Sequence, residues 1–312
     1  MKVLVTGANG FVGRALCPHL AALGHEVFPV VRRQSHIPGE IILQSAASWT
    51  AALKMCDSVI HLAARAHDMQ DQVRNPLQAF RLSNVDTTME LATRAVDAGV
   101  RRFVFMSTIK VNGEETSPGR SFRPEDSTDP KDPYAISKWE AEQGLFEIAK
   151  RTGLEVVIIR PPLVYGAGVK GNFANLIKWV KKGVPLPFGA LHNRRSMIGL
   201  DNLLSFTALC ADIDRAPNAK GQVFLVSDGD DVSTTELLRR VAKAYGCRNR
   251  LFSVSERLVR LLARCTGNAS LAKRLFGSLI VDDSNARRML GWHPPSTMDE
   301  QLQKMALHDS RV

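Results

Sequence analysis

The chain has 312 residues, enough to bury a large core, and its 45% hydrophobic and 23% charged residues are ordinary for a globular protein. Five scattered cysteines without a CxxC pair exclude a disulfide framework, and no His/Cys cluster has the spacing of metal ligands, so no metal is expected. The net charge of +10 suggests an acidic partner, which could be nucleic acid, a membrane surface or a phosphate-bearing small molecule. Because no zinc-finger or RNP pattern is visible and the basic residues are spread along the chain, nucleic acid is the least favoured of the three.

Short apolar runs alternate with helical patterns along the chain. Strands are predicted at Lys2–Thr6, Glu26–Val31, residues 58–62, residues 102–107, Glu155–Arg160 and residues 222–226. Helices are predicted at residues 11–23, 77–98, 133–151, 173–182 and 234–245, and the tail from residue 255 has a mostly helical pattern. Repeated strand–helix alternation predicts a parallel sheet covered by helices on both faces, which is the doubly wound Rossmann architecture of the α/β class.

A glycine-rich turn joins the first strand to the first helix. Its glycines have GxxGxxG spacing in the segment TGANGFVG. The first permits a tight turn, the second lets the backbone approach a pyrophosphate, and the third lets helix and strand pack closely. The helix N-terminus then supplies N–H groups and a favourable dipole for phosphates. The segment therefore predicts a dinucleotide site contacted by Gly7, Asn9, Gly10, Phe11, Val12 and Gly13.

The end of the second strand distinguishes NAD from NADP. Rossmann domains that use NAD usually place an acidic residue there for the ribose 2′-hydroxyl. This chain instead has Val30, Val31, Arg32 and Arg33. Because guanidinium groups suit a 2′-phosphate, Arg32 and Arg33 favour NADP(H) as the cofactor. NAD is the alternative if the arginines serve only solubility.

A tyrosine and a lysine are spaced for acid–base chemistry on one predicted helix. Tyr134 and Lys138, in the segment YAISK, are four residues apart and share one helix face. A positive charge beside a tyrosine favours its phenolate and so brings its chemistry nearer to neutral pH. Ser107 and Thr108 end the preceding strand, where side chains face the ligand crevice. A hydroxyl there would polarise a substrate oxygen beside Tyr134.

Together these segments resemble the extended short-chain dehydrogenases, the NAD-dependent epimerase/dehydratase family that acts on nucleotide sugars. The resemblance rests on TGANGFVG, HLAA, the hydroxyl-bearing strand end, YAISK and RPPLVYG, in the family's order along essentially the whole chain. In that family the strand end continues into V-Y-G, and aligning Val111 and Gly113 with it makes Thr108 the catalytic hydroxyl. Asn112 departs from the family's tyrosine.

The resemblance also implies which other residues contact cofactor and substrate. Segments in the second half resemble those that contact the nucleotide diphosphate in this family. The implied cofactor contacts are Leu62, Ala63, Ala64, Ser107, Tyr134, Lys138 and Pro161. The implied substrate contacts are Thr108, Asn172, Asn175 and Arg195.

The change in sequence texture after Pro161-Pro162 indicates the domain organisation. We expect a dinucleotide-binding domain of residues 1–165 and about 196–226. Residues 166–195 and 227–312 are expected to form a smaller, partly interleaved C-terminal substrate domain. The family implies a homodimer, formed through the long helices at 77–98 and 133–151.

The resemblance offers three reactions at a UDP-sugar, all beginning with hydride exchange at a carbon that is usually C4. Dehydration is not expected, because the family's dehydratases carry Asp-Glu where this chain has Ile109 and Lys110. The paired arginines favour a 4-keto reductase that consumes NADPH. The segment LFGSLIVDD resembles a subgroup that handles UDP-N-acetyl amino sugars, so the preferred substrate is a UDP-2-acetamido-4-keto-6-deoxy-hexose of surface polysaccharide synthesis. The alternative is a UDP-glucose or UDP-N-acetylglucosamine 4-epimerase that retains bound NAD.

Two other classes of protein are alternatives to these enzymes. A non-catalytic NAD(P)-sensing protein on the same fold would typically lack the Tyr–Lys pair, which is intact here. A reductase of small apolar ketones would not need arginines opposite a diphosphate.

The tail and the N-terminus bear on localisation. Five basic residues interleave with leucines between positions 255 and 277: Arg257, Arg260, Arg264, Lys273 and Arg274. This pattern favours a packing helix with a solvated basic face, and peripheral contact with an anionic membrane is the alternative. No signal peptide and no apolar run of roughly 20 residues is visible, which predicts a cytoplasmic protein without an integral membrane segment.

Overall fold

A central sheet of seven parallel strands organises the computed structural model, which describes residues 1–42, 46–65, 75–254 and 276–310. The strands are β1 (Lys2–Thr6), β2 (Glu26–Val31), β3 (Ile41–Ile42), β4 (Ser58–His61), β5 (Arg102–Met106), β6 (Glu155–Arg160), β7 (Leu163–Tyr165), β8 (Met197–Gly199) and β9 (Val223–Leu225). The sheet has the order β3-β2-β1-β4-β5-β6-β9, and β7 pairs with β8 in a separate parallel sheet. Because the chain moves outward from β1 in one direction and then from β4 in the other, the predicted doubly wound architecture is confirmed.

Helices flank this sheet on both sides, and further helices of the described part of the chain pack around the β7–β8 pair. They are α1 (Phe11–Ala22), α2 (Ala46–Leu53), α3 (Pro76–Phe80), α4 (Thr87–Asp97), α5 (Pro133–Thr152), α6 (Asn172–Lys181), α7 (Leu200–Ala211), α8 (Thr234–Ala244), α9 (Ser284–Leu290) and α10 (Met298–Asp309). The single helix predicted at 77–98 contains a π-helical turn, Arg81–Asp86, between α3 and α4. A π-helical turn holds more residues than an α-helical turn, but the pattern of apolar residues is too coarse to show so small a change. The sequence therefore did not indicate this interruption.

Alternate residues of β1 show how the sheet is buried on both faces. Val3 and Val5 pack into one apolar cluster with Phe206 of α7. Leu4, which points to the opposite face, belongs to a second cluster with Leu145 of α5. All of these side chains are fully buried. Strands covered on both faces read as continuous apolar runs, which is why KVLVT and EVVIIR were recognisable from the sequence.

A buried arginine joins the start of β5 to the end of α7. The guanidinium of Arg102 donates to the carbonyl oxygens of Cys210 (3.2 Å), Asp212 (3.1 Å) and Ala216 (2.9 Å). It also forms an ion pair with Glu155 at 2.7 Å. Carbonyl groups at the end of a helix lack intrahelical partners, so Arg102 satisfies them and fixes α7 against the sheet.

A third apolar cluster lies in the second half of the chain, around the β7–β8 pair. It contains Tyr165, Phe173 of α6, Met197, Val241 of α8 and Leu302 of α10. Residues that precede α7 in the chain thus pack with residues that follow β9. Helix α7 and strand β9 themselves pack with the central sheet. The division into two domains stays a prediction.

The predicted basic helix at 255–277 falls almost wholly on residues 255–275, which lie outside the described residues. Within the described ranges, no helix combines the length and the apolar character that crossing a bilayer requires.

Candidate active site

The glycine turn after β1 forms a close-packed cradle. Gly7 has a φ of 69°, and a Cβ atom on it would lie 2.7 Å from the backbone nitrogen of Ala63. A Cβ atom on Gly13 would lie 2.3 Å from the carbonyl oxygen of Gly7. Gly10 caps α1, and no side chain accepts a hydrogen bond from the first N–H groups of the helix. This bare backbone surface at a helix N-terminus fits the pyrophosphate of a dinucleotide.

The other loop residues surround this cradle. Asn9 and Gly10 are exposed, Phe11 and Val12 are half-buried, and the Asn9 carbonyl accepts a hydrogen bond of 3.1 Å from Arg14. Their contact with a cofactor stays a prediction.

At the end of β2, Arg32 and Arg33 are both exposed, and neither forms an ion pair within the described part of the chain. The structure thus places two free guanidinium groups where the adenosine ribose lies in Rossmann domains.

Helix α5, which carries Tyr134 and Lys138, begins beside the carboxyl end of β5. Asp132 caps it by accepting a 2.7 Å hydrogen bond from the backbone nitrogen of Ala135, and Pro133 occupies the first turn. Tyr134 and Lys138 therefore lie in the first two turns on one face. The Nζ of Lys138 donates a 2.8 Å hydrogen bond to the carbonyl oxygen of Met106, the last residue of β5. The predicted tyrosine–lysine face and the predicted strand end thus meet.

Burial controls the protonation of both side chains. It lowers the pKa of Lys138 to about 7, although the nearby carboxylate of Glu142 raises it. The ammonium group also lies 4.3 Å from the centroid of the Phe105 ring, a cation–π contact. Burial raises the pKa of the Tyr134 hydroxyl, and Asp132 adds to this effect. In this state Tyr134 is a neutral phenol.

Thr108 directly follows β5 in extended conformation. Its hydroxyl oxygen accepts a 3.4 Å hydrogen bond from the backbone nitrogen of Lys110, and its side chain is half-buried. The Lys110 ammonium group pairs with Asp132, the cap of α5. Lys110 therefore joins the end of β5 to the start of α5. The catalytic role of Thr108 stays a prediction.

Behind Thr108 lies a buried polar network that the sequence did not indicate. Arg160, at the end of β6, donates to Glu142 at 3.0 Å and to the carbonyl oxygen of the Asn112 side chain at 2.9 Å. Ser107 donates its hydroxyl to the same Glu142 carboxylate. The Asn112 amide group donates to the carbonyl oxygen of Arg123 at 3.0 Å. Asn112, which departs from the family's tyrosine, thus has a structural partner on each side.

Ser107 is consequently turned toward Glu142 and is 3% exposed, so the structure does not present its hydroxyl to a ligand. Two backbone hydrogen bonds join the residues after β5 to β6 and the residue that follows it. The nitrogen of Ser107 donates to the carbonyl oxygen of Ile159 at 2.7 Å, and the nitrogen of Ile109 donates to the carbonyl oxygen of Pro161 at 3.0 Å. The predicted cofactor contacts of Ser107 and Pro161 stay predictions.

The π-helical turn supplies a second group that was missed. The Asn84 side chain accepts a 2.8 Å hydrogen bond from the backbone nitrogen of Arg65 and donates to the carbonyl of Arg65 at 3.2 Å. It also donates to Ser137 at 3.0 Å, and Ser137 donates to the carbonyl of Tyr134 at 2.8 Å. Asn84 therefore ties the loop that contains Leu62, Ala63 and Ala64 to helix α5. The signal available in the sequence was an asparagine within the helix predicted at 77–98.

His61 supports the same loop as a buried neutral side chain. Because the Thr88 hydroxyl donates to Asn84, its oxygen accepts from His61 Nε2 at 2.9 Å, and His61 Nδ1 then accepts from Thr6 at 2.6 Å. Burial, together with the charge of Lys138, lowers the pKa of His61 to about 3. The histidine of HLAA is thus a structural group.

The predicted substrate contacts lie in the second half of the chain. Asn172 and Asn175 are exposed on α6. Arg195 is half-buried, and its guanidinium donates a 3.0 Å hydrogen bond to the carbonyl oxygen of Gly277. Their grouping around a substrate stays a prediction.

Comparison with known proteins adds to this geometry. Residues 3–219 match the model of the NAD dependent epimerase/dehydratase family. A UDP-glucose 4-epimerase of Vibrio cholerae is 41% identical over 312 residues, covering 98% of this chain and 94% of that protein.

Two solved structures share the fold of the whole chain. UDP-N-acetylglucosamine 4-epimerase from Bacillus cereus has a TM-score of 0.79 at 17% identity, covering 98% of both chains. UDP-glucuronic acid 4-epimerase from Bacillus cereus, in complex with NAD, also has a TM-score of 0.79, at 20% identity, covering 100% of this chain and 97% of the other.

Proposed function

Because the chain belongs to the NAD-dependent epimerase/dehydratase family, we propose that it is a nucleotide-sugar 4-epimerase that inverts C4 of a UDP-sugar. The observation that carries the proposal is the hydrogen bond from Lys138, one helical turn after Tyr134, to Met106 at the end of β5, two residues before Thr108. The similarity to a UDP-glucose 4-epimerase across nearly the whole of both chains supports the same reaction and the same class of substrate.

The proposed roles follow from the site. In its phenolate form, Tyr134 takes the proton of the C4 hydroxyl and later returns it, while Thr108 donates a hydrogen bond to the same oxygen. Lys138 provides the positive charge that favours the Tyr134 phenolate, and its contacts with Met106 and Phe105 fix its position. The Gly7–Gly13 cradle would hold NAD, which would supply the acceptor for the C4 hydride and return that hydride to the opposite face of the carbon.

The chain's own residues also argue against elimination of water. Ile109 is buried and Lys110 is paired with Asp132, so neither is placed as the acid–base pair that a dehydratase needs. An epimerase, which returns both hydride and proton, needs no such pair.

A 4-keto reductase that consumes NADPH is the second candidate. It is favoured by one observation, the two exposed arginines at the end of β2 without an acidic residue. Its substrate would be a UDP-2-acetamido-4-keto-6-deoxy-hexose.

The substrate region is part of the proposal. Asn172, Asn175 and Arg195 are proposed to contact the UDP diphosphate, and residues 166–195 and 227–312 to form the substrate domain. The homodimer stays a prediction, which light scattering would check by the mass in solution.

The reaction can be tested before the sugar is identified. The purified protein is denatured and the released nucleotide identified; the native protein is then incubated separately with UDP-glucose and UDP-N-acetylglucosamine, and C4 inversion is followed by proton NMR. The expected result is retained NAD and formation of the C4 epimer without added cofactor. Consumption of NADPH with 4-keto UDP-sugars, and no epimer, would establish the reductase instead. No turnover of either kind would indicate a protein that only binds the cofactor.

Tyr134→Phe separates catalysis from binding. We expect turnover to fall by about 10²–10⁴-fold while nucleotide binding is kept, since only the acid–base hydroxyl is removed. Tyr245→Phe is the matched control, because the Tyr245 hydroxyl donates to Asp309 at the protein surface.

A further inference from the structure

An acidic side chain fills an anion-binding loop next to the end of β2. The Glu40 carboxylate accepts hydrogen bonds from the backbone nitrogen of Ser35 (2.9 Å) and from the Ser35 hydroxyl (2.6 Å). It also accepts from the backbone nitrogens of His36 (3.2 Å) and Ile37 (3.1 Å). Three successive N–H groups and one hydroxyl therefore converge on a single carboxylate.

Successive N–H groups that converge in this way form a nest, a backbone concavity that binds anions. His36 has a φ of 60°, in the left-handed region that non-glycine residues rarely adopt, and this conformation turns the neighbouring N–H groups inward. The hydrogen bonds from Ser35, Ile37 and His36 lower the pKa of Glu40 to about 2, so the occupant is an anion at neutral pH. The loop is thus shaped for negative charge.

The position of this loop identifies the ligand group that would compete for it. In a Rossmann domain the adenosine ribose lies at the end of the second strand, and a 2′-phosphate is bound just beyond it. Arg32 and Arg33 directly follow β2, and Ser35 is two residues further on. Both arginines are exposed and without an ion-pair partner among the described residues. Two cations and a nest together would suit a phosphate dianion, were the nest empty.

We propose that Glu40 is a specificity-determining residue that occupies the place of a 2′-phosphate and so makes the site select NAD over NADP. A phosphate and the Glu40 carboxylate cannot both accept from the same N–H groups, and two anions held in one nest would repel each other. A ribose 2′-hydroxyl brings no negative charge and leaves the Glu40 contacts intact. The arginines, which by themselves indicate NADP, are thus followed along the chain by a loop whose nest is filled by a carboxylate that opposes it.

This proposal rests on the binding of a dinucleotide and not on the sugar that reacts, so it and the epimerase assignment can fail separately. The probe is a pair of small ligands, 5′-ADP and 2′,5′-ADP, which differ only in the 2′-phosphate. Their dissociation constants are measured by calorimetry on the full-length protein after its nucleotide content has been determined and removed. The readout is the ratio of the two constants.

Removal of the carboxylate should favour the 2′-phosphate. In Glu40→Ala we expect 2′,5′-ADP to bind about tenfold more tightly or better, while 5′-ADP changes by less than about twofold. Glu40→Gln keeps an acceptor in the nest without its charge, so a smaller gain is expected. Adding Arg32→Ala and Arg33→Ala to Glu40→Ala should abolish the gain.

Glu26→Ala is the matched control, since it removes the same charge from the opposite end of β2, where Glu26 pairs with Lys2 at 3.6 Å. An equal gain in Glu26→Ala would overturn the proposal, because it would show a general effect of net charge. An unchanged ratio in both Glu40 variants would overturn it as well. If Glu40→Ala binds neither ligand because the loop has lost its shape, Glu40→Gln decides the question by the same ratio.

Discussion

The ammonium group of Lys138 donates its hydrogen bond to the carbonyl oxygen of Met106, 2.8 Å away, and so joins helix α5 to the end of β5. In the proposed function, this contact holds the helix that carries Tyr134 against the strand end that continues into Thr108. Lys138 is 1% exposed, and this burial is what lowers its pKa to about 7.

Lys138→Met removes the charge and the hydrogen bond while keeping much of the volume. We expect turnover to fall by about 10²–10⁴-fold, because Tyr134 loses the charge that favours its phenolate. Lys150→Met, on the exposed last turn of the same helix, should leave turnover within about twofold. The turnover of both variants is measured by steady-state kinetics with the UDP-sugar that the wild-type protein converts. Equal activity in the two variants would contradict the role of Lys138.

Glu142→Ala should destabilise the protein strongly. It leaves Arg160 buried without its carboxylate and takes a partner from Ser107, and such a loss costs about 3–5 kcal/mol. Urea unfolding followed by circular dichroism measures the free energy of unfolding. The control is Glu140→Ala, two residues away on the same helix. Its partner Arg81 is half exposed, so a cost of about 0–1 kcal/mol is expected. Similar losses of unfolding free energy in the two variants would show that the buried ion pair stabilises the protein no more than the exposed one.

His61 should make the protein sensitive to acid. In the unfolded chain a histidine binds a proton below its ordinary pKa of 6.5, whereas folded His61 resists protonation until pH falls to about 3. The unfolded state therefore binds more protons in this window, and stability falls as pH decreases from 6.5 toward 3, by up to about 1.4 kcal/mol per pH unit.

His61→Gln, which cannot take up that proton, should flatten the dependence of unfolding free energy on pH between 4 and 6. His192→Gln is the control, since His192 is exposed. A wild-type slope in His61→Gln would mean that other groups cause the acid sensitivity.

Gly13→Ala should disrupt the close packing of the start of α1 against the glycine turn after β1, which forms the proposed dinucleotide site. Its new Cβ would lie 2.3 Å from the carbonyl oxygen of Gly7, and backbone cannot move aside as a side chain can. We expect NAD binding to weaken by about tenfold or more in calorimetric titration. The matched substitution is Gly144→Ala in α5, where the Cβ would instead meet the flexible Met89 side chain. That variant should bind NAD within about twofold of wild type.

Much of this fold was readable from local sequence. The strands β1, β2 and β6 have the predicted bounds, because each is an apolar run buried on both faces and bounded by polar residues. Helix α5 was predicted to within a residue, because Pro133 starts it and Gly153, with a φ of 80°, ends it. Helix α7 was not predicted, since it is apolar on nearly all sides and lacks the one-sided pattern of a surface helix.

The sequence by itself determined the nucleotide loop and the Tyr134–Lys138 face, since both depend on residues at short, regular spacing that one turn or one helix brings together. Only the tertiary structure decided the partners of Glu142 and Asn84. Glu142 meets Arg160 from 18 residues away, and Asn84 meets Ser137 from 53 residues away. Contacts at such separations are set by how sheet and helices pack, which no local spacing encodes. The loop conformation in which Glu40 accepts from the N–H groups of Ser35, His36 and Ile37 is likewise a property of the folded chain.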